Sequence, residues 1–410
     1  MSIVRPFQAI RPRKELASQI AALPYDVYNR EESKEEVKKE PLSFLRIDRA
    51  ETQFDDSIDT YAPCVYEKAK QLLQEMIENG SFQKEEKSVY YIYELIMEGR
   101  SQTGIVACAS IDDYENNRIK KHENTRAEKE ADRIMHVDTC SAQTGPIFLA
   151  YRAKAQIDDI VDKTKKVEPE YDFTSPDEIT HRVWVIRDDL DIEVIQKGFE
   201  TIDSIYIADG HHRAASAVKV GLKRRNENPA FTGEEAFNYF LSVLFPHNQL
   251  MIMDYNRVVK DLNGLSKEEF IEALSEKFDV EEVQDAYKPE KKGTIGMYLD
   301  DAWYRLSAKS EILTNHPVDG LDVALLQNEV LTPILGILDP KTDKRIDFVG
   351  GIRGLGELER RCREDMKLAF SMFPTSIEEL FDVADAGLLM PPKSTWFEPK
   401  LRSGIFIHQI

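Results

Sequence analysis

Ser204-Ile205-Tyr206-Ile207-Ala208-Asp209-Gly210-His211-His212-Arg213-Ala214-Ala215-Ser216-Ala217 is the stretch from which the rest of the chain is read. Ser204 to Ala208 read as a short, mainly apolar strand, closed by the turn-forming pair Asp209-Gly210. Small residues suited to a closely packed helix follow. A strand that hands over to a helix through a tight turn is the joint from which α/β proteins are built. There the first helical N–H groups lack intrahelical partners and the helix dipole adds partial positive charge, which favours an anion. Gly210 allows a left-handed backbone or a close approach. Arg213 can clamp phosphate oxygens with two N–H groups, and His211 or His212 can donate or shuttle a proton. Asp209 can equally cap the helix, leaving both histidines as surface residues. Ligands of open α/β sheets gather at the carboxyl ends of strands, and this position favours the site.

Working outward, apolar patterning predicts strands at 3–10, 147–151, 181–186 and 239–245, and a hairpin of 89–97 with 102–111 around Glu98-Gly99-Arg100. Helices are expected from Pro12 to Leu23, over 31–40, over 66–79 with Gly80 as terminator, over the strongly charged run 118–137, and from about His212 to Val220. Beyond Pro246 the order is strand 250–259, helix 266–278, then strands 280–283, 293–299 and 303–308. After Pro317 come helix 321–335, strand 347–349, helix 356–365 and strand 367–373. The expected fold class is mixed α/β (α+β), divided into a core at 1–246, a small α+β domain at 247–316 and a C-terminal α/β portion at 317–410. No fixed-period repeat is present.

Charge narrows the partners. The 410 residues carry 74 acidic against 54 basic side chains, a formal charge of -20, so the average surface repels a nucleic-acid backbone. A local cluster of Arg, Lys and N–H groups can still hold a small anion. Cys64, Cys108, Cys140 and Cys362 lie far apart without metal or redox spacing and read as reduced thiols. Arg5, Arg11, Arg13, Lys14 and Glu15 interrupt any secretory apolar region, and no run is long enough to span a bilayer. A soluble cytoplasmic protein is expected.

Four further segments bear on chemistry. Were 122–136 helical throughout, His122, Arg126, Lys129, Arg133 and His136 would share one face, a basic stripe or else a solvated face paired with Glu123, Glu130 and Asp132. The proline-bounded loop at 390–400 offers Lys393, Ser394 and Thr395 to an anion, or simply buries Trp396 and Phe397. Asp26, in an otherwise apolar turn, can accept a hydroxyl proton, hold Mg²⁺, or only shape the turn. The glycines of 350–356 match neither the dinucleotide fingerprint nor the Walker pattern. A zinc site from His122, His136, His211 and His212 lacks helical ligand spacing and cysteine support.

Arg5-Pro6-Phe7, Pro24-Tyr25-Asp26-Val27, His122-Glu123-Asn124-Thr125, Asp132-Arg133, Asp209 through Arg213 and Pro392-Lys393-Ser394-Thr395 together resemble the bacterial and archaeal domain-of-unknown-function family ten-fifteen, over nearly the whole chain. That family looks like a distant member of the ParB/sulfiredoxin superfamily, which includes free serine kinases. The resemblance implies a nucleotide-phosphate turn at Asp209, Gly210, His211, His212 and Arg213. It also implies a catalytic carboxylate in the N-terminal region, where Asp26 is the counterpart.

The resulting expectation is a nucleotide-dependent phosphotransferase acting on a small hydroxylated metabolite such as serine or phosphoserine, with ATP or ADP and Mg²⁺. The Gly210 to His212 backbone and Arg213 would hold the phosphate, aided by His122, Thr125, Arg126, Arg133, Lys393, Ser394 and Thr395. Asp26, His211 or His212 would move the proton. Two rivals stand beside it: a nucleotide-binding regulatory switch with little turnover, and a metal-dependent hydrolase using the four histidines.

Overall fold

The computed structural model describes residues 1–410, which divide into two compact units: 1–250 with 399–410, and 251–398. The first is built on a nine-stranded mixed sheet. Its strands are β1 (Val4–Arg5), β2 (Tyr90–Met97), β3 (Arg100–Ser110), β4 (Ile119–Lys120), β5 (Ile147–Tyr151), β6 (Tyr171–Thr174), β7 (Thr180–Ile186), β8 (Ile205–Asp209) and β9 (Tyr239–Pro246). They lie in the order β4-β8-β5-β9-β3-β2-β7-β6, with β1 paired to β3. The β2–β3 hairpin turns on Glu98 and Gly99, both at positive φ, the geometry that matches the twist of the flanking strands.

Six main helices accompany this sheet: α1 (Arg30–Lys39), α2 (Pro63–Glu78), α3 (Ala127–Cys140), α4 (Ala155–Thr164), α5 (Asp189–Glu200) and α6 (His211–Glu227). Ile157, Ile160, Ile195 and Phe199 of α4 and α5, with Ala214, Ala217 and Val218 of α6, join strand residues such as Ile105, Leu149, Ile207 and Phe240 in one core. A second core gathers Phe44, Leu45 and Ile47 against Val65, Leu72 and Met76 of α2. Each such large apolar side chain contributes ~1.5–3 kcal/mol on burial.

The second unit is an antiparallel six-stranded sheet: β10 (Tyr255–Val259), β11 (Phe278–Val283), β12 (Thr294–Leu299), β13 (Ala302–Ala308), β14 (Ile346–Gly350) and β15 (Leu368–Ser371), ordered β11-β13-β12-β15-β10-β14. Helices α7 (Lys267–Ser275), α8 (Leu355–Glu364) and α9 (Ile377–Asp385) belong to it. Segments 247–316 and 317–410, read from the sequence as separate portions, contribute strands to this one sheet: β15 of the later segment lies between β12 and β10 of the earlier. Residues 399–410 return to the first unit, where Ile407 exchanges hydrogen bonds with Ile10.

The mixed α/β class holds, and several boundaries move. The helix expected from Pro12 is a strand at Ile10–Pro12 followed by short helical turns at Lys14–Leu16 and Ala17–Ile20. The helix expected over 321–335 is α-helical only at Asp322–Leu326 and continues as a π-turn at Gln327–Leu331. Residues 122–126 are not helical: α3 begins at Ala127, and Arg126 is extended at φ -93°, ψ 128°. The stripe is therefore broken, and of its members His122, Arg133 and His136 are buried.

Candidate functional site

β8 ends at Asp209, Gly210 takes the left-handed conformation at φ 89°, ψ 32°, and α6 begins at His211 with no side chain capping its N-terminus. Asp209 looks like a cap in sequence but turns elsewhere. One carboxylate oxygen accepts from the Gly210 N–H at 2.7 Å and the other pairs with the Lys400 ammonium at 2.9 Å. Burial would raise its pKa, but Lys400 and Arg213 outweigh burial and hold the carboxyl well below its usual range. It is an anion at any physiological pH.

Arg213 folds back across the turn: a Cβ on Gly210 would lie 3.2 Å from its Nε, and its Nη1 donates to the Pro146 carbonyl at 2.8 Å. Its guanidinium also borders Gly145. Arg213 lines a cavity of about 30 Å³ with Tyr25, Arg133, Thr144 and Ser403. A second, of about 50 Å³, shares Tyr25, Asp48, Arg133 and His136 and opens between Arg49, Tyr61 and Lys129. One water needs about 10–15 Å³ on this scale, so the space suits a group the size of a phosphoryl and not a whole nucleotide.

Arg133 is fixed in that wall by the Asp132 carboxylate at 2.9 Å and by the Tyr25 ring, over which its guanidinium carbon sits at 3.9 Å. Asp132 in turn accepts from Tyr66 at 3.0 Å. Burial pushes the Tyr25 hydroxyl up to about 12, so it stays protonated and can donate. Asp48 accepts from Thr144 at 2.8 Å.

The histidines occupy distinct positions. His122 and His211 meet edge to face at 4.6 Å, both buried. Burial drives His122 down to about 4 and, with His122 as neighbour, drives His211 well below its ordinary value. The buried Nε2 of His211 has no hydrogen-bond partner. His212 is half-buried and its pKa is lowered, chiefly by burial. Its Nε2 accepts the Arg126 backbone N–H at 2.9 Å, which places the remaining proton on Nδ1. This bond goes with the non-helical conformation of 122–126: the amide that a longer α3 would use internally is turned toward α6. His136 contacts the Ile47 carbonyl at 3.2 Å. No group of three or more His, Cys, Asp or Glu side chains is arranged to hold a metal, the four predicted histidines included.

Of the residues singled out in sequence, Asp209 to Arg213, His122, Arg126 and Arg133 thus cluster around the β8–α6 turn and α3. Thr125 instead donates to Glu130 at 2.6 Å. Asp26 is exposed, and its charge acts on both His212 and Tyr25. Lys393, Ser394 and Thr395 belong to the second unit, where Ser394 bonds to the Pro391 carbonyl at 2.6 Å. Sequence reasoning missed Ser403, Thr144 and Asp48, and it reached Lys400 only as the end of the proline-bounded loop, without a role. Thr144 stood beside the Gly145-Pro146 break.

Fold and site define a mixed α/β protein with an uncapped strand-to-helix turn overlaid by an arginine. The family model "Protein of unknown function (DUF1015)" matches residues 4–324, and the chain belongs to that family. Among solved structures, a free serine kinase in complex with AMP is similar at 16% identity over 73% of this chain and 91% of that one, with a TM-score of 0.36. SbnI with a C-terminal truncation, from Staphylococcus aureus, is 12% identical over 72% and 82%, with a TM-score of 0.39. A conserved hypothetical protein from Pyrococcus furiosus is 16% identical over 73% and 94%, with a TM-score of 0.35. No curated protein matches.

Proposed function

We propose that the first unit binds nucleotide phosphate at the β8–α6 turn, in the manner of the ParB/sulfiredoxin superfamily, and that the protein is a nucleotide-dependent phosphotransferase acting on a small hydroxylated metabolite such as serine or phosphoserine. The observation that carries this reading is the Gly210 turn itself: helix N–H groups without a side-chain cap, with the Arg213 guanidinium folded over them. Backbone donors and a fixed cation aimed at one point stabilise a phosphoryl group without reorganising during the reaction.

In this reading Arg213 and Arg133 neutralise the transferring phosphate from two sides of the cavity they share. Asp26 takes the acceptor's hydroxyl proton, because the Nε2 lone pair of His212 is already engaged by Arg126 and His211 is buried. Asp209 is already engaged by Lys400 and Gly210, and a Mg²⁺ ion would enter with the nucleotide. Such an ion would neutralise phosphate charge.

Calorimetric titration with ADP and ATP tests the binding step. Losing the charge-assisted contacts of Arg213, worth about 1 to 4 kcal/mol, should weaken binding in Arg213→Ala by several-fold to a thousandfold. Unchanged affinity in a folded variant removes Arg213 from the site. Incubation with serine and nucleotide tests the chemistry: binding without phosphoserine or consumed nucleotide points to a regulatory switch instead.

A further inference from the structure

Arg257 lies on β10 of the second unit and is 3% exposed, yet no carboxylate lies within ion-pair distance of it. Its Nη1 donates to the Tyr255 carbonyl, its Nη2 donates to the Lys393 carbonyl at 3.0 Å, and its guanidinium carbon stands 5.4 Å from the centre of the Phe348 ring. The nearest candidate in sequence, Asp254, is engaged elsewhere, by Asn256 at 2.6 Å and Lys288 at 3.2 Å. A buried charge is ordinarily paired, since taking it out of water costs more than neutral acceptors return. Burial accordingly lowers the pKa of Arg257 to about 10.

A second cation is beside it. Lys393 is exposed and takes the left-handed backbone at φ 60°, which an L side chain adopts only when its surroundings impose it. That twist turns its carbonyl onto Arg257 and leaves its ammonium 5.4 Å from the centre of the Tyr255 ring. The next residue anchors the loop, the Ser394 carbonyl accepting from buried Thr375 at 3.0 Å. The Lys393 backbone thus touches Arg257 while its ammonium lies over the ring of Tyr255, whose own carbonyl Arg257 also holds, and neither cation makes an ion pair.

We propose that Arg257 and Lys393 form an oxyanion site of the second unit that takes the phosphoryl or carboxylate group of a small metabolite. The anion replaces the Lys393 carbonyl at Nη2, and the Lys393 ammonium moves from the Tyr255 ring onto it. This supplies the missing countercharge, and it does not depend on the phosphotransferase reading of the first unit.

The Trp396 ring packs against Tyr255, their centroids 4.9 Å apart, and gives a local reporter. Full-length protein is titrated with inorganic phosphate and, separately, acetate, at an ionic strength held constant with chloride, following fluorescence and melting temperature. Subtracting the signal of Trp396→Phe isolates the reporter. A saturable Trp396 response is expected, weakened at least tenfold in Arg257→Met and in Lys393→Met and retained in Arg213→Ala, in which the melting shift reports the second unit without the Gly210 turn; the stronger of the two anions identifies the group. Lys393→Met alters an exposed side chain and decides the matter should Arg257→Met not fold. No saturable response by either measure, an equal response to chloride, or one indifferent to Lys393→Met overturns the proposal.

Discussion

Gly210 shows how much of the site rests on one backbone angle. At φ 89° an L side chain pays about 1–2 kcal/mol, and here the added Cβ would also press on Arg213, 3.2 to 3.4 Å from Nε, Nη2 and Cζ. Gly210→Ala should therefore lose at least that stability in urea denaturation and, by pushing Arg213 off the turn, lose nucleotide binding as well. A variant that keeps its affinity would mean that the guanidinium need not lie over the helix end. Buried histidines make a separate statement about pH. His408 is held near 4 by burial, against an ordinary value of about 6.5, despite its contact with the Ala236 carbonyl at 3.0 Å. Between those values the unfolded chain binds the proton and the folded chain does not. The stability tied to His408 is complete above pH 6.5 and drains away as pH falls toward 4. The loss is on the order of 3 kcal/mol by pH 4. His122 acts in the same direction and His181, lowered to about 3 by burial and Arg402, extends the window downward. Replacing His408 by Gln, which can still donate to Ala236, should flatten the urea midpoint between pH 7 and 4.5 relative to the parent chain; parallel curves would show that His408 is protonated in the folded state.

At the scale of elements, capping chemistry carries visible weight. Ser266 closes a complete capping box with Glu269 at the start of α7: its side chain accepts the Glu269 N–H at 3.2 Å and Glu269 accepts the Ser266 N–H at 2.8 Å. Ser266→Ala should cost about 1 kcal/mol. Because α7 belongs to the second unit, the loss should appear in hydrogen exchange there while ADP binding to the first unit stays unchanged. Local chemistry of this kind was readable beforehand: the Glu98-Gly99 hairpin, the helix stopped by Gly80 and the strand feeding Asp209-Gly210 all follow from turn and cap residues whose cause lies within a few positions. What was not readable depends on distant partners. The charged run at 122–136 has helical periodicity from its first residue, yet α3 starts at Ala127, with the Arg126 amide turned to His212, 86 positions away. Two members of its basic stripe turn inward for the same kind of reason, Arg133 onto the Tyr25 ring and His136 onto the Ile47 carbonyl. Lys400 was legible as part of the proline-bounded loop but not as a partner of Asp209, which lies 191 positions earlier and leaves no local mark on it.

For the whole molecule, the telling feature is that the first unit is completed by the last twelve residues. The chain leaves it at Leu250, builds the second sheet, and returns at Pro399. The returning segment is deeply engaged: Ile405, Phe406 and Ile407 are fully buried, and Arg402 bonds to Asp177 and to Ser175 at 3.0 Å. His408 and Gln409 pair with Gln143 and Ala142, while Ser403 joins Ala22 on one side and borders Gly145 on the other. Burial of three large apolar side chains contributes several kcal/mol at ~1.5–3 each, a large part of the 5–15 typical of a domain. The same segment brings Lys400 to Asp209. Ending the chain after Glu398 should therefore destabilise the first unit and leave the second, whose 251–398 are intact, folded. Limited proteolysis should then release a protected fragment that begins near Met251, while residues 1–250 are degraded. Lys400→Met separates the two roles of the segment: Asp209 loses one of its two cations, keeping Arg213, but the apolar contacts stay, so protease resistance should persist while nucleotide binding at the Gly210 turn weakens. If the truncated chain resists proteolysis as well as the full one, the first unit does not need its C-terminal segment to fold, and comparison with Lys400→Met then divides the lost binding between Lys400 and the other residues of the segment, Ser403 among them.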